Sequence, residues 1–301
     1  MLEFLEWAEA MDMVNVLAIY AGYSHGDNQL TNSYLFPPTA EAMYPVLQEA
    51  LEELEFCMGS VDTKWGAKRA EYGHPEPFDI KFVEIGNEDW FSREYAFRFK
   101  YLYDGIKAKY PQITLIATAY NENADYTIKL PPGSMWDTHH YEEPHFFLEA
   151  FNFWDNWQER TKNPNVTILI GEYSVIQVDT PNGNVDWSWP TELHVYYPHL
   201  ISAIAEGVYL LGAERNPEVV KLTSYAPSLQ NLNWYNWTPN LIAFDADPKN
   251  TILSTSYYLQ KLFATYRGQK TLTVANSIGD FKPLYWAASL DDNAKVYLKV
   301  M

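Results

Sequence analysis

Glu88 and Glu172 are the two residues of this sequence best placed to do chemistry together. Glu88 follows an alternating apolar run in FVEIGNEDWF, and Glu172 follows another in VTILIGEYSV. A glycine closely precedes each, and aromatic residues come soon after, Trp90 and Phe91 in the first case and Tyr173 in the second. Runs of this kind read as β-strands. In a barrel of parallel strands all C-terminal ends gather on one face, so carboxylates far apart in sequence can meet there. Two facing carboxyl groups supply what glycoside hydrolysis needs: one protonated acid, and one ionised partner acting as nucleophile or base. At the roughly 5–5.5 Å separation of a retaining enzyme and an effective dielectric of about 20, two such charges repel by about 3 kcal/mol. That corresponds to about two pKa units, enough for a facing pair to share one proton. A single strand-end glutamate is more often solvated or salt-bridged; the matched placement of two is what singles these out.

Asn87 could donate its amide to a sugar hydroxyl beside the reacting carbon, or stabilise the turn it sits in. Between the two glutamates lies MWDTHHYEEP, with His139, His140 and Tyr141. Adjacent histidines on a strand face opposite sides and cannot both bind one ion, and no HExxH is present, so neither a metal site nor a cofactor is expected. Orienting the nucleophile or binding a sugar hydroxyl suits them better. Asp137 and Glu142 remain possible acids. Glu84 shares the parity of Glu88, and is expected to point inward below the site as a buried structural partner. No GxSxG elbow and no phosphate-binding glycine loop follows any strand.

The elements that must position these residues alternate along the chain. Residues 14–22, 78–86, 113–120, 135–141, 166–173 and 219–226 read as strands; 40–58, 92–109, 145–161 and 191–213 read as amphipathic helices, with Ser92 as an N-cap and Pro111 beyond the end of the second. This alternation predicts a parallel sheet with helices outside it. An open doubly wound sheet and a closed (β/α)8 TIM barrel both satisfy it. Polar and aromatic clusters after several different strands (GYSHGD, GNEDWF, THHYEEP, GEYSVI, APSLQN) favour the barrel, whose active site lies at the strand C-termini. Six strands are visible and MLEFLEWAEAMDM reads as a helix in progress, so two strands are expected upstream of Met1. After a helix over 251–266, TLTVANSIG, PLYWAASLD and KVYLKV read as successive strands opening an all-β module. The expected organisation is a partial catalytic barrel over 1–267 and the start of a β-sandwich over 268–301.

Twenty-one basic against 39 acidic residues leave a net charge of -18, which repels phosphate backbones and anionic lipid. Neither nucleic acid nor a membrane is an expected partner, and a neutral substrate is. The 11 Trp, 23 Tyr and 15 Phe suit the C–H faces of sugars, and equally the filling of cores. The single cysteine, Cys57, excludes an internal disulfide and a thiolate zinc cluster, and is expected on the apolar side of a helix. LHVYYPHLISAIAEGVYLLGA carries Pro198, Glu206 and two histidines and is no membrane span. No signal peptide is visible; sequons stand at Asn165 and Asn236.

KFVEIGNEDWF, preceded by TKWGAKRAEYGHPEPFDI, resembles the acid/base segment of glycoside hydrolase family 51, chiefly α-L-arabinofuranosidases. ILIGEYSVI is similar to the nucleophile segment of the fungal-type branch. FLEWAEAMDMVNVLAIYAGYS, DTHHYEEP, LTSYAPSLQNLNWYNWTPNLIAFD and STSYYLQKLF match in order, so the resemblance covers essentially the whole chain. It implies a (β/α)8 barrel with the acid/base after strand four and the nucleophile after strand seven, followed by a β-sandwich. Counting two strands before Met1, Glu88 and Glu172 fall at those places. The resemblance therefore implies Glu88 as general acid/base, Glu172 as nucleophile, Asn87 as a binder of the sugar 2-hydroxyl, and His139 and Tyr141 near the nucleophile, with His140 competing for the histidine's place. It further implies retaining, exo-acting release of terminal α-L-arabinofuranose from plant polysaccharides or glycans, outside the cell. Bacterial members carry a glutamine where this chain has Pro227, and the sugar-binding glutamate and asparagine of the family's first strands lie outside it. Another retaining barrel glycosidase of the same clan, or a non-catalytic carbohydrate-binding barrel, would share GNE alone. The preferred polymer and the oligomeric state are open at this level.

Overall fold

The computed structural model describes residues 1–23, 39–89, 94–118, 128–162, 165–178, 180, 183–186, 193–235, 237–277, 279 and 281–301. Trp90, Phe91, Ser92, Asn236 and most of GYSHGD lie outside the described residues. The chain divides into two compact units, Met1–Thr138 and His139–Met301.

The first unit holds α1 (Leu2–Ala10), β1 (Val16–Ile19), α2 (Ala40–Met58), α3 (Lys64–Glu71), β2 (Phe82–Ile85), α4 (Tyr95–Lys109), β3 (Thr114–Ala117) and the first half of β4 (Met135–Glu142). Its strands pair in parallel: Val16 lies opposite Phe82, Phe82 opposite Thr114, and Ile116 opposite Met135. Val83, Ile85, Leu115 and Ile116 are fully buried, as are Leu54 and Cys57 of α2 and Leu102 and Ile106 of α4. Each such aliphatic side chain contributes about 1.5–3 kcal/mol relative to exposure. Helices α2 and α3 start where their sequences supply acceptors. Thr39 Oγ1 accepts from the Ala42 N–H, and Thr63 Oγ1 from the Gly66 N–H. Arg69 is wholly buried and donates to the carbonyls of Phe56, Cys57, Gly59, His74 and Pro75, tying the end of α2 and α3 to the segment that enters β2.

The second unit continues β4 and adds α5 (Pro144–Glu149), α6 (Trp157–Thr161), β5 (Thr167–Val175), α7 (Leu200–Glu214), β6 (Val220–Thr223), α8 (Thr255–Thr265) and two small sheets. Glu143 caps α5, its carboxylate accepting from the His145 and Phe146 N–H groups, with Pro144 at the first turn. One small sheet, β7 (Leu229–Asn231), β8 (Ile242–Phe244) and β9 (Ile252–Leu253), is mixed; the other, β10 (Lys270–Leu272), β11 (Trp286–Leu290) and β12 (Val296–Val300), is antiparallel.

The main sheet runs β1-β2-β3-β4-β5-β6, so neighbours in space are neighbours in sequence. A doubly wound sheet reverses its order at a switch point; this one does not. Six parallel strands in sequence order, with helices in four of the five connections among the described residues, are the arrangement of a (β/α) barrel. All six expected strands are present, and α2 has the expected bounds. Other expectations shift. The helix expected over 145–161 is broken: a 3-10 turn follows α5, and Asn156 takes a left-handed φ of 56° before α6. Phe151, Trp154 and Trp157 are all buried, so burial there follows the bends of the chain and not one helix face. The helix expected from 191 begins at Leu200, just after Pro198, because a residue before proline is pushed out of helical geometry. The polar helix α3 and the sheet β7-β8-β9 were not expected; the first has little apolar face, and the strands of the second have at most three residues. No helix among the described residues is long and apolar enough to cross a membrane.

Candidate active site

Strand β2 ends at Ile85, three residues before Glu88. Gly86 turns the chain with φ 92°, and Glu88 itself takes φ 50°. Strand parity therefore does not aim Glu88; the turn does. A Cβ on Gly86 would lie 2.0 Å from Asp89 Oδ2, so glycine is required there both for its φ and for the close approach of that carboxylate. Asp89 is buried. Its Oδ2 accepts from the Asn87 N–H (3.0 Å), and its Oδ1 from Arg98 Nη2 (2.7 Å). Arg98, also buried, donates through Nε to the Ala21 carbonyl beyond β1 (2.7 Å). The Tyr95 hydroxyl donates to the Ile85 carbonyl (2.5 Å) and accepts from the Thr118 N–H (3.1 Å). Thr118 Oγ1 in turn accepts from the Glu88 N–H (2.9 Å). The positive φ of Glu88, costly for a non-glycine residue, is thus held by bonds from three directions. Asn87 is exposed and Glu88 half-buried, while Asp89 between them and α4 is closed off.

In the second unit, Glu172 sits within β5, which runs three residues beyond it to Val175. The Tyr141 hydroxyl donates to Glu172 Oε2 at 2.6 Å, and His139 Nδ1 lies 3.2 Å from the same oxygen. Two groups of one parity on β4 thus converge on one carboxylate oxygen and fix its orientation. The Ile176 N–H donates to the Glu142 carbonyl (3.0 Å), keeping the ends of β4 and β5 joined. His140 points the other way. Its Nδ1 meets the Tyr209 hydroxyl of α7 at 2.7 Å, among the rings of Phe146 and Phe153. Burial, then the neighbouring His139, pushes its pKa down to about 4, so it is a neutral packing residue. The histidine beside the nucleophile candidate is His139. Among the other acids, Asp137 is wholly buried, and Glu142 is half-buried with its carboxyl pushed up to about 7 by burial and by Glu143.

Behind β5 lies a group the sequence did not single out. Glu206 of α7 is fully buried; its Oε1 accepts from the Val175 N–H (3.0 Å), and its Oε2 lies 2.5 Å from Ser256 Oγ of α8. Burial pushes its carboxyl up to about 8. Both oxygens accept, one from a backbone N–H and the other from the Ser256 hydroxyl, and burial outweighs the two bonds. Tyr173, next to Glu172, is pinned on the same side by Gln260, which donates to its hydroxyl at 2.6 Å. Sequence reading also passed over Arg98, Tyr95 and Thr118. The available signal for Arg98 was a cation placed on a helix face among aromatics, nine residues after an acid.

Residues 1–160 match the family model described as the α-L-arabinofuranosidase 1 domain, and residues 171–295 match that of the α-L-arabinofuranosidase C-terminal domain. The chain belongs to the α-L-arabinofuranosidases of glycoside hydrolase family 51. It is 38% identical over 301 residues to the probable α-L-arabinofuranosidase A of Aspergillus flavus, covering 99% of this chain and 43% of that protein. It is likewise 38% identical over 290 residues to α-L-arabinofuranosidase A of Aspergillus niger, covering 95% of this chain and 42% of that one. This member thus spans less than half the length of these two relatives. Among solved structures, the arabinose-bound MgGH51 α-L-arabinofuranosidase superposes with a TM-score of 0.83 at 31% identity, over 100% of this chain and 45% of that chain. The arabinose complex of the Thermotoga maritima α-L-arabinofuranosidase, at 19% identity, shares the fold with a TM-score of 0.68 over 99% of this chain and 63% of that one. The six-stranded sheet of this arabinofuranosidase-family chain is accordingly part of a (β/α)8 barrel, accompanied by a β module.

Two predictions follow from the supports. Arg98→Ala leaves Asp89 charged and uncompensated in a buried site, and is expected to lower stability by about 3–5 kcal/mol in chemical denaturation. Because the carboxyl of Glu206 binds its proton more tightly folded than unfolded, the native state loses stability as pH rises from the ordinary carboxylate range to about 8, by at most about 1.4 kcal/mol per pH unit. Glu206→Gln keeps an acceptor for the Val175 N–H and presents Ser256 with an amide that has no proton to lose. Its melting temperature is expected to exceed that of the parent at pH 8 by more than at pH 5, measured by calorimetry.

Proposed function

We propose that the whole natural protein carrying this chain is a retaining, exo-acting α-L-arabinofuranosidase, with Glu172 as nucleophile and Glu88 as general acid/base. The observation that carries this reading is the Glu172 carboxylate, fixed through one oxygen by Tyr141 and His139, in a member of this family. Glu88 stands on a turn held against movement from β1, β3 and α4, as a proton-transfer group must be. The solved relative of 31% identity is arabinose-bound, which supports a terminal arabinofuranosyl unit as the group recognised.

On this reading Glu172 attacks the anomeric carbon while Glu88 gives its proton to the departing glycosidic oxygen. Water, deprotonated by Glu88, then releases arabinose from the covalent glycosyl-enzyme with the configuration retained. Tyr141 and His139 hold the nucleophile in line for attack, and Asn87, exposed beside Glu88, binds the 2-hydroxyl of the sugar. No step calls for a cofactor. Residues 1–267 belong to the catalytic barrel and 268–301 open the β-sandwich module. A net charge of -18 suits a neutral, arabinose-bearing plant polysaccharide or glycan met outside the cell, and suits neither nucleic acid nor an anionic membrane surface.

In the whole protein, Glu172→Ala is expected to lower kcat on 4-nitrophenyl α-L-arabinofuranoside by more than about 10³-fold, with added azide yielding the inverted glycosyl azide. Glu88→Ala is expected to lose about 10²–10⁴-fold on alkyl glycosides and much less on a dinitrophenyl glycoside, whose leaving group needs no proton, with azide yielding the retained product. Parent-level turnover by the Glu172 variant would overturn the nucleophile assignment, and equal losses on both leaving groups would overturn that of Glu88.

A further inference from the structure

Two connections leave the C-terminal ends of the strands around Glu172: one runs from β5 to α7, the other from β6 to α8. Their described parts meet through aromatic rings. His194 packs edge-to-face on Trp237 with centroids 4.9 Å apart, and Tyr196 packs the same way on Tyr235 at 5.3 Å. The pairs advance by two residues along one segment and retreat by two along the other, so that rings of both segments meet pairwise. His194 Nδ1 lies 3.1 Å from the Thr238 carbonyl. Tyr197 extends the row, its ring 5.1 Å from that of Tyr196.

The inner end of the row touches the candidate catalytic group. Trp237 packs on the Tyr141 ring at 5.1 Å, and the Tyr141 hydroxyl is the donor to Glu172 Oε2. Exposure grows outward from there: Trp237 is half-buried, Tyr235 and Tyr196 are 41% and 42% exposed, and Tyr197 is 61% exposed. Rings that served only to fill a core would be covered at both ends. These are ordered against one another at the base and open at the tip. The row is made of tyrosine, tryptophan and one histidine whose burial favours its neutral form, so nothing in it attracts an ion. Flat apolar faces edged with hydroxyls and ring N–H groups match the alternating C–H faces and hydroxyls of neutral sugars.

We propose that the ridge formed by Trp237, His194, Tyr235 and Tyr196 is the platform for the neutral polysaccharide main chain from which the cleaved arabinofuranose branches. The inference rests on the function proposed above and deepens it: the same site takes a branched polymer, and discriminates it from small arabinosides through these rings.

The test uses the whole natural protein, with arabinoxylan and branched arabinan as polymers and 4-nitrophenyl α-L-arabinofuranoside as the small substrate. For Tyr196→Ala/Tyr235→Ala, the ratio of kcat/KM on polymer to kcat/KM on the small substrate is expected to fall about fivefold or more, through KM. Tyr196→Phe/Tyr235→Phe, which keeps the rings, is expected to recover most of it. An unchanged ratio in the alanine pair, or no recovery in the phenylalanine pair, overturns the proposal. So does a loss of self-association in light scattering with the ratio unchanged, which would assign the ridge to contact between copies. Should the parent hydrolyse none of these substrates, the functional reading fails and the ridge is judged by affinity electrophoresis. Retardation of the parent in polymer-containing gels, lost in the alanine pair, supports it, and equal migration overturns it.

Discussion

The turn that carries Glu88 depends on one buried ion pair. Taking Asp89 and Arg98 out of water costs several kcal/mol per ion, recovered only where geometry and further hydrogen bonds are good. Here both carboxylate oxygens are engaged, by Arg98 Nη2 and by the Asn87 N–H, and the guanidinium also holds the Ala21 carbonyl. The pair ties the segment after β1, the turn after β2 and the helix α4 at one point. Its consequences reach the backbone: Gly86 must be glycine because Asp89 Oδ2 occupies the space of a side chain, and Glu88 is held at a positive φ. Strain of this kind persists where the surroundings over-determine it.

The strand that carries Glu172 is secured by a different device. On its open face, Tyr141 and His139 from β4 converge on Glu172 Oε2. On its closed face, Gln260 takes the Tyr173 hydroxyl, and the buried acid Glu206 bridges the Val175 N–H and Ser256. The two units thus solve the burial of a carboxyl group in opposite ways. Asp89 keeps its charge by acquiring a cation, whereas Glu206 stays neutral by keeping its proton. Both solutions place rigid matter behind a residue whose own carboxyl remains partly open.

Much of this was legible in the sequence. The six strands of the sheet announced themselves as short β-branched and aromatic runs between turn formers, and α2 through its helical period. The glycine before Glu88 marked where the backbone had to bend and a carboxylate approach closely, and adjacent histidines on a strand had to face opposite ways, as His139 and His140 do. Less legible were elements whose burial follows no single period, such as the broken segment after Glu143, and the three-residue strands of the small mixed sheet.

By itself, then, the sequence determined the parallel sheet, its sequence-ordered strands, the family, and the two glutamates worth attention, because local periodicity and turn chemistry are written in neighbouring residues. Only the tertiary structure decided how those glutamates are aimed. Glu88 leaves the strand's alternation through a turn whose supports, Arg98, Tyr95, Thr118 and Ala21, come from other elements. Likewise His139 could be chosen over His140 only once α7 had taken the latter through Tyr209. Such pairings lie between residues distant in the chain, joined by hydrogen bonds and burial that exist only once the strands and helices have packed.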